Sequence, residues 1–422
     1  VTNPGPLLGR RLELTVGPVA HGGHCVARVD DEPGGRVVFV RHALPGERVE
    51  VLVTEDAGGS YCRADAVTVL SAVEDRVVPP CPHAGAGRCG GCDWQHVEPS
   101  AQRRLKGAVV REQFQRLAGL DVDVEVEELP GGALGWRTRV AYAVDGAGRP
   151  GLRRHRSHQV ELIQNCPLGV DGVGTNPALQ QRWPGESGIE LAAGDQGPPA
   201  LLAHRPAPPP SGAAAAHRGR RRRPADIVRV VAGPDRLRHR VGELDFEVAA
   251  TGFWQVHPAA ALTFVTAVLQ ALAPRRGETA LDLYAGAGLF TAALADAVGP
   301  TGRVIGVEAS AQGSADARKN LLELPWASIE HDQVTAPLLQ RFEVRADVVV
   351  LDPPRSGAGE AVIHAILAKS PRAVAYVACD PAALARDVRY ARDAGWDLGV
   401  LRAFDAFPMT HHVECVALLT PI

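Results

Sequence analysis

Three short stretches of the 422-residue chain carry side chains able to do chemistry in one place. Val348-Val349-Val350-Leu351 reads as a buried strand, and Asp352-Pro353-Pro354-Arg355 follows it. Ala373 to Ala378 reads as the next strand, and Cys379-Asp380-Pro381 follows at the equivalent place. Near the end stands Phe407-Pro408-Met409-Thr410-His411-His412-Val413-Glu414-Cys415. Parallel sheets bind their ligands beyond the carboxyl ends of the strands. An acid, a thiol and a second acid (Asp352, Cys379 and Glu414) can therefore converge. A thiolate is a nucleophile, and a carboxylate beside it can take a proton.

A second set of thiols lies upstream. Cys81, Cys89 and Cys92 fall within twelve residues of glycine-rich loop, and Cys166 follows far downstream in Asn165-Cys166-Pro167. Structural zinc more often uses two Cys-x-x-Cys pairs. One pair flanked by single cysteines, one of them beside proline, suits a four-thiolate iron–sulfur cluster better. Zinc stays the alternative, with His83 or His96 as a substitute ligand. Cys25, Cys62 and Cys415 read as small buried residues.

The elements that position the first set centre on Thr279 to Phe290, Thr-Ala-Leu-Asp-Leu-Tyr-Ala-Gly-Ala-Gly-Leu-Phe. Ala280 to Leu283 reads as a buried strand, Gly286 and Gly288 as a tight turn, and Thr291 to Val298 as a helix. Val304-Ile305-Gly306-Val307-Glu308 reads as a second strand ending in an acid suited to ribose hydroxyls. Gly-x-Gly without a third glycine argues against a pyrophosphate-bearing dinucleotide. The pattern resembles a class I methyltransferase site for S-adenosylmethionine. A thiol then makes sense for methylation at carbon. Uracil C5 is a poor nucleophile until a thiolate adds at C6, and a base must afterwards remove the C5 proton.

Length predicts two or three domains. The formal net charge of -3 announces no global nucleic-acid binder, and lysine occurs only at 106, 319 and 369. No apolar run reaches the roughly 18–20 residues of a membrane span. The first residues show no signal-peptide hydrophobic segment. A cytoplasmic location away from membranes is expected, where disulfides are not. Nothing calls for an obligate protein partner.

Residues 9–70 alternate short apolar runs with turns, which predicts an OB-like β-barrel of the RNA-binding kind. Ser100 to Leu117 is expected as a Ser-capped helix whose Arg103, Arg104, Lys106, Arg111 and Arg116 form a mostly solvated face. Two basic β-like pieces, Trp136 to Val140 and Gly151 to Ser157, place arginines beside the cysteines. Residues 194–224 are rich in Pro, Ala and Arg and are expected to be an exposed insertion unable to bury a core. From Leu244 strands and helices alternate, as in a parallel sheet.

These motifs together resemble the RNA uracil-C5 methyltransferases, in the branch with a TRAM domain and an iron–sulfur cluster. The resemblance rests on Cys-x-x-Cys-x-x-Gln-His at 89–96, Phe-x-Gln at 253–255 and Asp-Leu-Tyr-x-Gly-x-Gly at 282–288. It continues through Leu-Asp-Pro-Pro-Arg, Cys-Asp-Pro and Phe-Pro-x-Thr-x-His-Val-Glu. It implies an α/β chain in three parts: a TRAM barrel over 9–70, a central α+β iron–sulfur domain over 71–243, and a Rossmann-like methyltransferase over 244–422. It further implies Cys379 as nucleophile, Glu414 as base and Asp352 at the uracil–cofactor junction. Gln255, Tyr284, Gly286, Glu308 and Asp332 would line S-adenosylmethionine. Cys81, Cys89, Cys92 and Cys166 would hold a [4Fe-4S] cluster. The implied partner is RNA, ribosomal in preference to transfer RNA. A noncatalytic cluster-bearing RNA-binding protein is the rival reading. There are departures. The Cys81–Cys89 spacing is long, His257 stands where Asn is frequent, and Leu289 replaces a polar residue. Asp380 follows the thiol where Asn is common, and its charge should raise the thiol pKa.

Overall fold

The computed structural model describes residues 7–29, 35–208 and 226–422. The first five strands are β1 (Arg11–Thr15), β2 (Cys25–Arg28), β3 (Val37–Arg41), β4 (Arg48–Glu55) and β5 (Tyr61–Ser71). They pair in the order β1-β4-β5-β3-β2. Alternation along β4 buries Val49, Val51 and Val53, as period-two patterning requires. The register shifts between β4 and β5 three times, and such bulges bend and twist a strand. The sheet curls until its edges meet: the Gly17 amide donates to Val26 O at 2.7 Å and the Val26 amide to Pro18 O at 2.9 Å. Cys25 and Cys62 are 1% exposed inside it.

The expected helix is α1 (Pro99–Gln113), with a π-type turn from Phe114 to Ala118. Its cap is Glu98 rather than a serine, accepting from the Ala101 amide at 3.0 Å. Pro99 follows at the first helical position, where a missing N–H leaves nothing unsatisfied. The helix has two apolar sides. Ala101 and Val109 join the core of the first sheet, while Val110 and Phe114 join a core of the C-terminal sheet. Lys106 is not on a solvated face. It is fully buried and donates to Asp405 at 2.5 Å and Phe407 O at 3.0 Å. A buried ammonium needs such partners. Arg103 and Arg104 pair with Glu128 and Asp75, Arg116 pairs with Glu112, and Arg111 donates to Val124 O.

After β6 (Val126–Glu128) come β7 (Arg139–Val144), β8 (Pro150–Arg153), β9 (Val160–Leu162), β10 (Gly188–Ala192), β11 (Ala200–Arg205) and β12 (Ile227–Ala232). The last six form an antiparallel sheet in the order β12-β11-β10-β7-β8-β9. Strand β11 corrects the insertion expected from 194. Ala200, Leu202 and Ala203 are fully buried, so that segment does contribute to a core. Residues 209–224 of the expected insertion lie outside the described residues. A hairpin, β13 (Arg236–Val241) and β14 (Leu244–Ala249), leads into the C-terminal part.

There, α2 (Ala260–Leu272), β15 (Thr279–Leu283), α3 (Leu289–Val298), β16 (Arg303–Glu308), α4 (Ala311–Asn320) and β17 (Ala327–His331) alternate. They continue through α5 (Ala336–Arg341), β18 (Val348–Leu351), α6 (Glu360–Leu367), β19 (Ala373–Ala378), α7 (Pro381–Asp393), β20 (Trp396–Asp405) and β21 (Glu414–Pro421). The eight-stranded sheet runs β17-β16-β15-β18-β19-β21-β20-β6. β15 to β19 are mutually parallel and β21 is antiparallel to both neighbours. Every residue of β18 and β19 is buried, because helices cover both faces and no alternation is needed. Strand order reverses beside β15, which has β16 on one side and β18 on the other. That reversal is the place where such sheets open a crevice for a ligand.

Candidate active site

The crevice begins where β15 ends. Tyr284, Gly286 and Gly288 all have left-handed backbone, with φ of 68°, 55° and 88°. At Tyr284 that conformation is costly, and such strain clusters at binding turns. A Cβ at Gly286 would meet nothing within 4 Å, so its space is open, whereas one at Gly288 would press on Ala317 at 3.2 Å. Glu308, at the end of β16, shapes the turn. Its carboxylate accepts from the Gly286 amide at 2.8 Å and the Ser310 amide at 2.5 Å. Asp332 lies just past β17 and pairs outward with Arg341 at 3.3 Å. Gln255 sits on a loop pinned from behind: the Thr138 hydroxyl donates to Val256 O at 3.0 Å, and Arg139 donates to Ala250 O and Gly252 O.

One buried group here opens the Asp-Leu-Tyr-x-Gly-x-Gly motif but is given no role of its own from sequence. Asp282 is completely buried on β15. One oxygen accepts from the Thr291 hydroxyl at 2.5 Å, and the other has no partner among the described residues. Burial pushes its carboxyl up to about 7. Its signal in the sequence was a lone acid in an otherwise apolar strand.

The acid–thiol–acid set does assemble. The β19–β21 pairing ends at Ala378 opposite Cys415; Cys379 follows β19 and Glu414 opens β21, so thiol and acid come to the same end of the sheet. Asp352 follows the neighbouring strand, its amide donating to Leu283 O at 3.2 Å. Burial, then the Asp352 charge, holds the Glu414 carboxyl far above the carboxylate range, with Arg355 opposing. Asp352 is pushed up to about 7 by burial and by Asp282. Burial, Glu414 and Asp352 push the Cys379 thiol up to about 11, again opposed by Arg355. Cys379 opens into a cavity of about 180 Å³ whose walls include His21, Gly23, Trp94, Arg355 and His412. Residues from the first sheet, the cysteine loop and the C-terminal sheet thus all contribute to it. The Asp93 and Trp94 amides donate to Met409 O at 3.1 and 3.0 Å, and Asp93 pairs with His411 at 2.7 Å, clamping the loop before Glu414.

The other four cysteines also come together. Cys81, Cys89, Cys92 and Cys166 line one cavity of about 230 Å³. A Cβ at Gly90 would meet the His155 backbone at 2.7 Å, so only glycine fits that bend. The Gly91 amide donates to Cys89 Sγ at 3.4 Å and the Gln95 side-chain amide to Cys92 Sγ at 3.3 Å. Burial raises the Cys89 and Cys92 thiols to about 11 and about 12, so a cation is needed to hold them as thiolates. Among the described residues no three His, Cys, Asp or Glu side chains are grouped closely enough to hold a single metal ion. Four thiols on the walls of one cavity are a donor set that a four-thiolate cluster could use. His83 pairs with Glu161, and His96 packs edge-on to His42.

Known proteins match this chain along its length. The TRAM domain family model covers residues 7–67, and that of tRNA (uracil-5-)-methyltransferase covers 330–422. Residues 253–334, around the glycine turn, match the protein-L-isoaspartate O-methyltransferase model. An uncharacterized RNA methyltransferase of Streptomyces avermitilis is 48% identical over 98% of this chain and 99% of its own. One from Streptomyces coelicolor is 48% identical over 100% and 95%, and one from Bifidobacterium longum 36% over 97% and 97%. The crystal structure of Pyrococcus abyssi tRNA (uracil-54, C5)-methyltransferase in complex with S-adenosyl-L-homocysteine is 22% identical. It overlays with a TM-score of 0.70 over 97% of this chain and 100% of that one, a likeness of fold. Among the described residues no helix is long and apolar enough to cross a membrane. With a TRAM domain ahead of a methyltransferase fold, and relatives matched end to end, the chain belongs to the uracil-5 RNA methyltransferases.

Proposed function

We propose that this protein transfers a methyl group from S-adenosylmethionine to C5 of a uridine in structured RNA through a covalent Cys379–C6 adduct. The observation that supports the reading is the common end of β18, β19 and β21, where Asp352, Cys379 and Glu414 follow or open neighbouring strands. Asp352 holds the uracil at the cofactor junction. The Cys379 thiolate adds to C6, which makes C5 nucleophilic. S-adenosylmethionine, when bound, supplies the electrophilic methyl group that C5 takes. Glu414 then removes the C5 proton, the C5–C6 double bond re-forms, and Cys379 leaves as thiolate. A carboxyl raised by burial is a stronger base once ionised, which suits a carbon-bound proton. Gln255, Tyr284, Gly286, Glu308 and Asp332 line the methyl donor. The orphaned Asp282 oxygen and the open space at Gly286 fit a polar ligand there.

Cys81, Cys89, Cys92 and Cys166 hold a [4Fe-4S] cluster with a structural role, since none of them lies on the loops after β18 and β19. The three working parts are residues 9–70 and 71–243, which hold RNA, and 244–422, which takes a flipped-out uracil. Ribosomal RNA is the favoured target, because barrel plus cluster resembles the layout of the large-subunit enzymes. The matched family model names transfer RNA instead. The test is mapping 5-methyluridine in separated ribosomal and transfer RNA from cells with and without the gene. One uridine losing its methyl group is expected. Identical maps would refute the reading.

A further inference from the structure

An aspartate beside a nucleophilic thiol is unfavourable, because its charge opposes thiolate formation. Asp380 is there to start α7: its Oδ1 accepts from the Ala382 and Ala383 amides at 3.0 and 2.9 Å. Asparagine caps a helix about as well, so capping alone does not explain an acid. The second oxygen does. Asp380 Oδ2 lies 3.1 Å from Nε2 of His21, which comes from the turn between β1 and β2, 359 positions away.

That turn is fixed against the site. Gly22 and Gly23 have φ of 95° and 81°. A Cβ at Gly23 would stand 2.5 Å from His411 Cβ, so the approach requires glycine. Trp94 Nε1 donates to Gly23 O at 3.1 Å. His21 and Cys379 line the same cavity.

We infer that His21 is a positioning residue of the methyl-transfer site, reaching from the TRAM sheet to bind Asp380 and offset the negative charge beside Cys379. The inference rests on Cys379 being the nucleophile. The charges around the thiol make the need plain. Glu414, Asp352 and Asp380 all disfavour its ionisation, and Arg355 favours it. His412, 3.4 Å from Arg355, is held neutral by burial and by His411. His411 itself is engaged with Asp93. His21 faces Asp380 and, more distantly, Glu112 of α1; the Asp380 hydrogen bond raises its basicity against partial burial. The TRAM domain therefore serves the reaction as well as RNA binding, because its docking brings a hydrogen-bonding imidazole, its basicity raised by that contact, to the acid next to the thiol.

The test is a double-mutant cycle read on the Cys379 thiol itself. Full-length protein, purified with its cluster under anaerobic conditions, is treated with iodoacetamide at pH 7.5, and alkylation of the Cys379 peptide is followed by mass spectrometry. His21→Ala is expected to slow alkylation about threefold or more, a tenfold change corresponding to one pKa unit. Asp380→Asn keeps the cap and is expected to speed it. In the Asp380→Asn background His21→Ala is expected to change the rate by less than about 1.5-fold, because the charge it offsets is gone. A merely structural or gating histidine gives the same change in both backgrounds. That result, or no slowing in the native background, overturns the inference. RNA methylation by Cys379→Ala is a separate assay, and turnover there would instead sink the nucleophile reading.

Discussion

Cys379 leaves β19 and Glu414 enters β21 just beyond the last pair of those strands, Ala378–Cys415, and the Glu414 charge is among the influences that raise the Cys379 thiol. Their variants are expected to fail differently. Cys379→Ala cannot add to C6 and should neither methylate nor crosslink RNA. Glu414→Gln keeps the thiol and can accept methyl at C5, but the C5 proton stays and elimination stalls. A denaturing gel with labelled RNA and S-adenosylmethionine should show a slow band for Glu414→Gln alone. An active Glu414→Gln without adduct would move the base role to another residue.

The four-cysteine cavity makes its own prediction. Protein purified without oxygen should be brown, with about four iron and four sulfide per chain. Replacing Cys166 by Ser should bleach it and lower the melting temperature, since Cys166 is buried in the core of the central sheet. Stoichiometric zinc without sulfide would overturn the cluster.

Much of this was legible because it is local. The all-apolar runs before Asp352 and Cys379 needed no partner to be read as buried strands, and the glycine turn announced itself. What failed was what depends on distant residues. Lys106 read as a surface cation because Asp405, which makes its burial tolerable, is 299 positions away. Strand β11 was hidden by its Pro- and Ala-rich neighbours. Asp380 was visible as an unfavourable charge, but nothing in the local sequence pointed to His21.

The basic strip at Arg153 to Arg156 resolves into unequal parts. Arg154 pairs with Glu161 at 2.9 Å and Arg156 with Glu55 of β4 at 2.7 Å, so both are occupied within the protein. Arg153 is exposed. Arg153→Ala is therefore expected to weaken RNA binding most. It should also flatten the salt dependence by about 0.7 in slope, the value for one phosphate contact on a single strand. Equal slopes for native protein and Arg153→Ala would remove this residue from the interface.

Asp282 ties stability to pH. Its folded pKa of about 7 exceeds the ordinary 3.8. Folding therefore favours its protonated form. The stability this contributes is full below about pH 4 and is lost as pH rises through about 7. Asp282→Asn keeps an acceptor for Thr291 and cannot ionise. Relative to native protein, the variant should gain roughly 2–3 kcal/mol between pH 5 and pH 8, an order-of-magnitude estimate from about two pH units at 1.36 kcal/mol each. Urea unfolding at the two pH values measures it. A difference that does not change with pH would mean that Asp282 stays ionised in the folded protein.

The methyl-donor site is tested by contrasting two acids at the ends of neighbouring strands, Glu308 of β16 and Asp332 just past β17. Glu308 accepts from the Gly286 and Ser310 amides and so shapes the turn; in the proposed function it also meets the donor's ribose hydroxyls. Removing it leaves two amides without their acceptor and takes away the acid. Glu308→Ala should weaken S-adenosylmethionine by at least about tenfold, equivalent to 1.4 kcal/mol. RNA affinity should be unchanged, because Glu308 is assigned to the methyl donor and not to RNA. Asp332 is turned to Arg341 and half-exposed at its side chain, so Asp332→Ala should weaken the donor by no more than about threefold, within the range of a surface ion pair. Isothermal titration of each variant with S-adenosylmethionine decides. A larger loss at Asp332 than at Glu308 would shift the donor's polar end from β16 to β17.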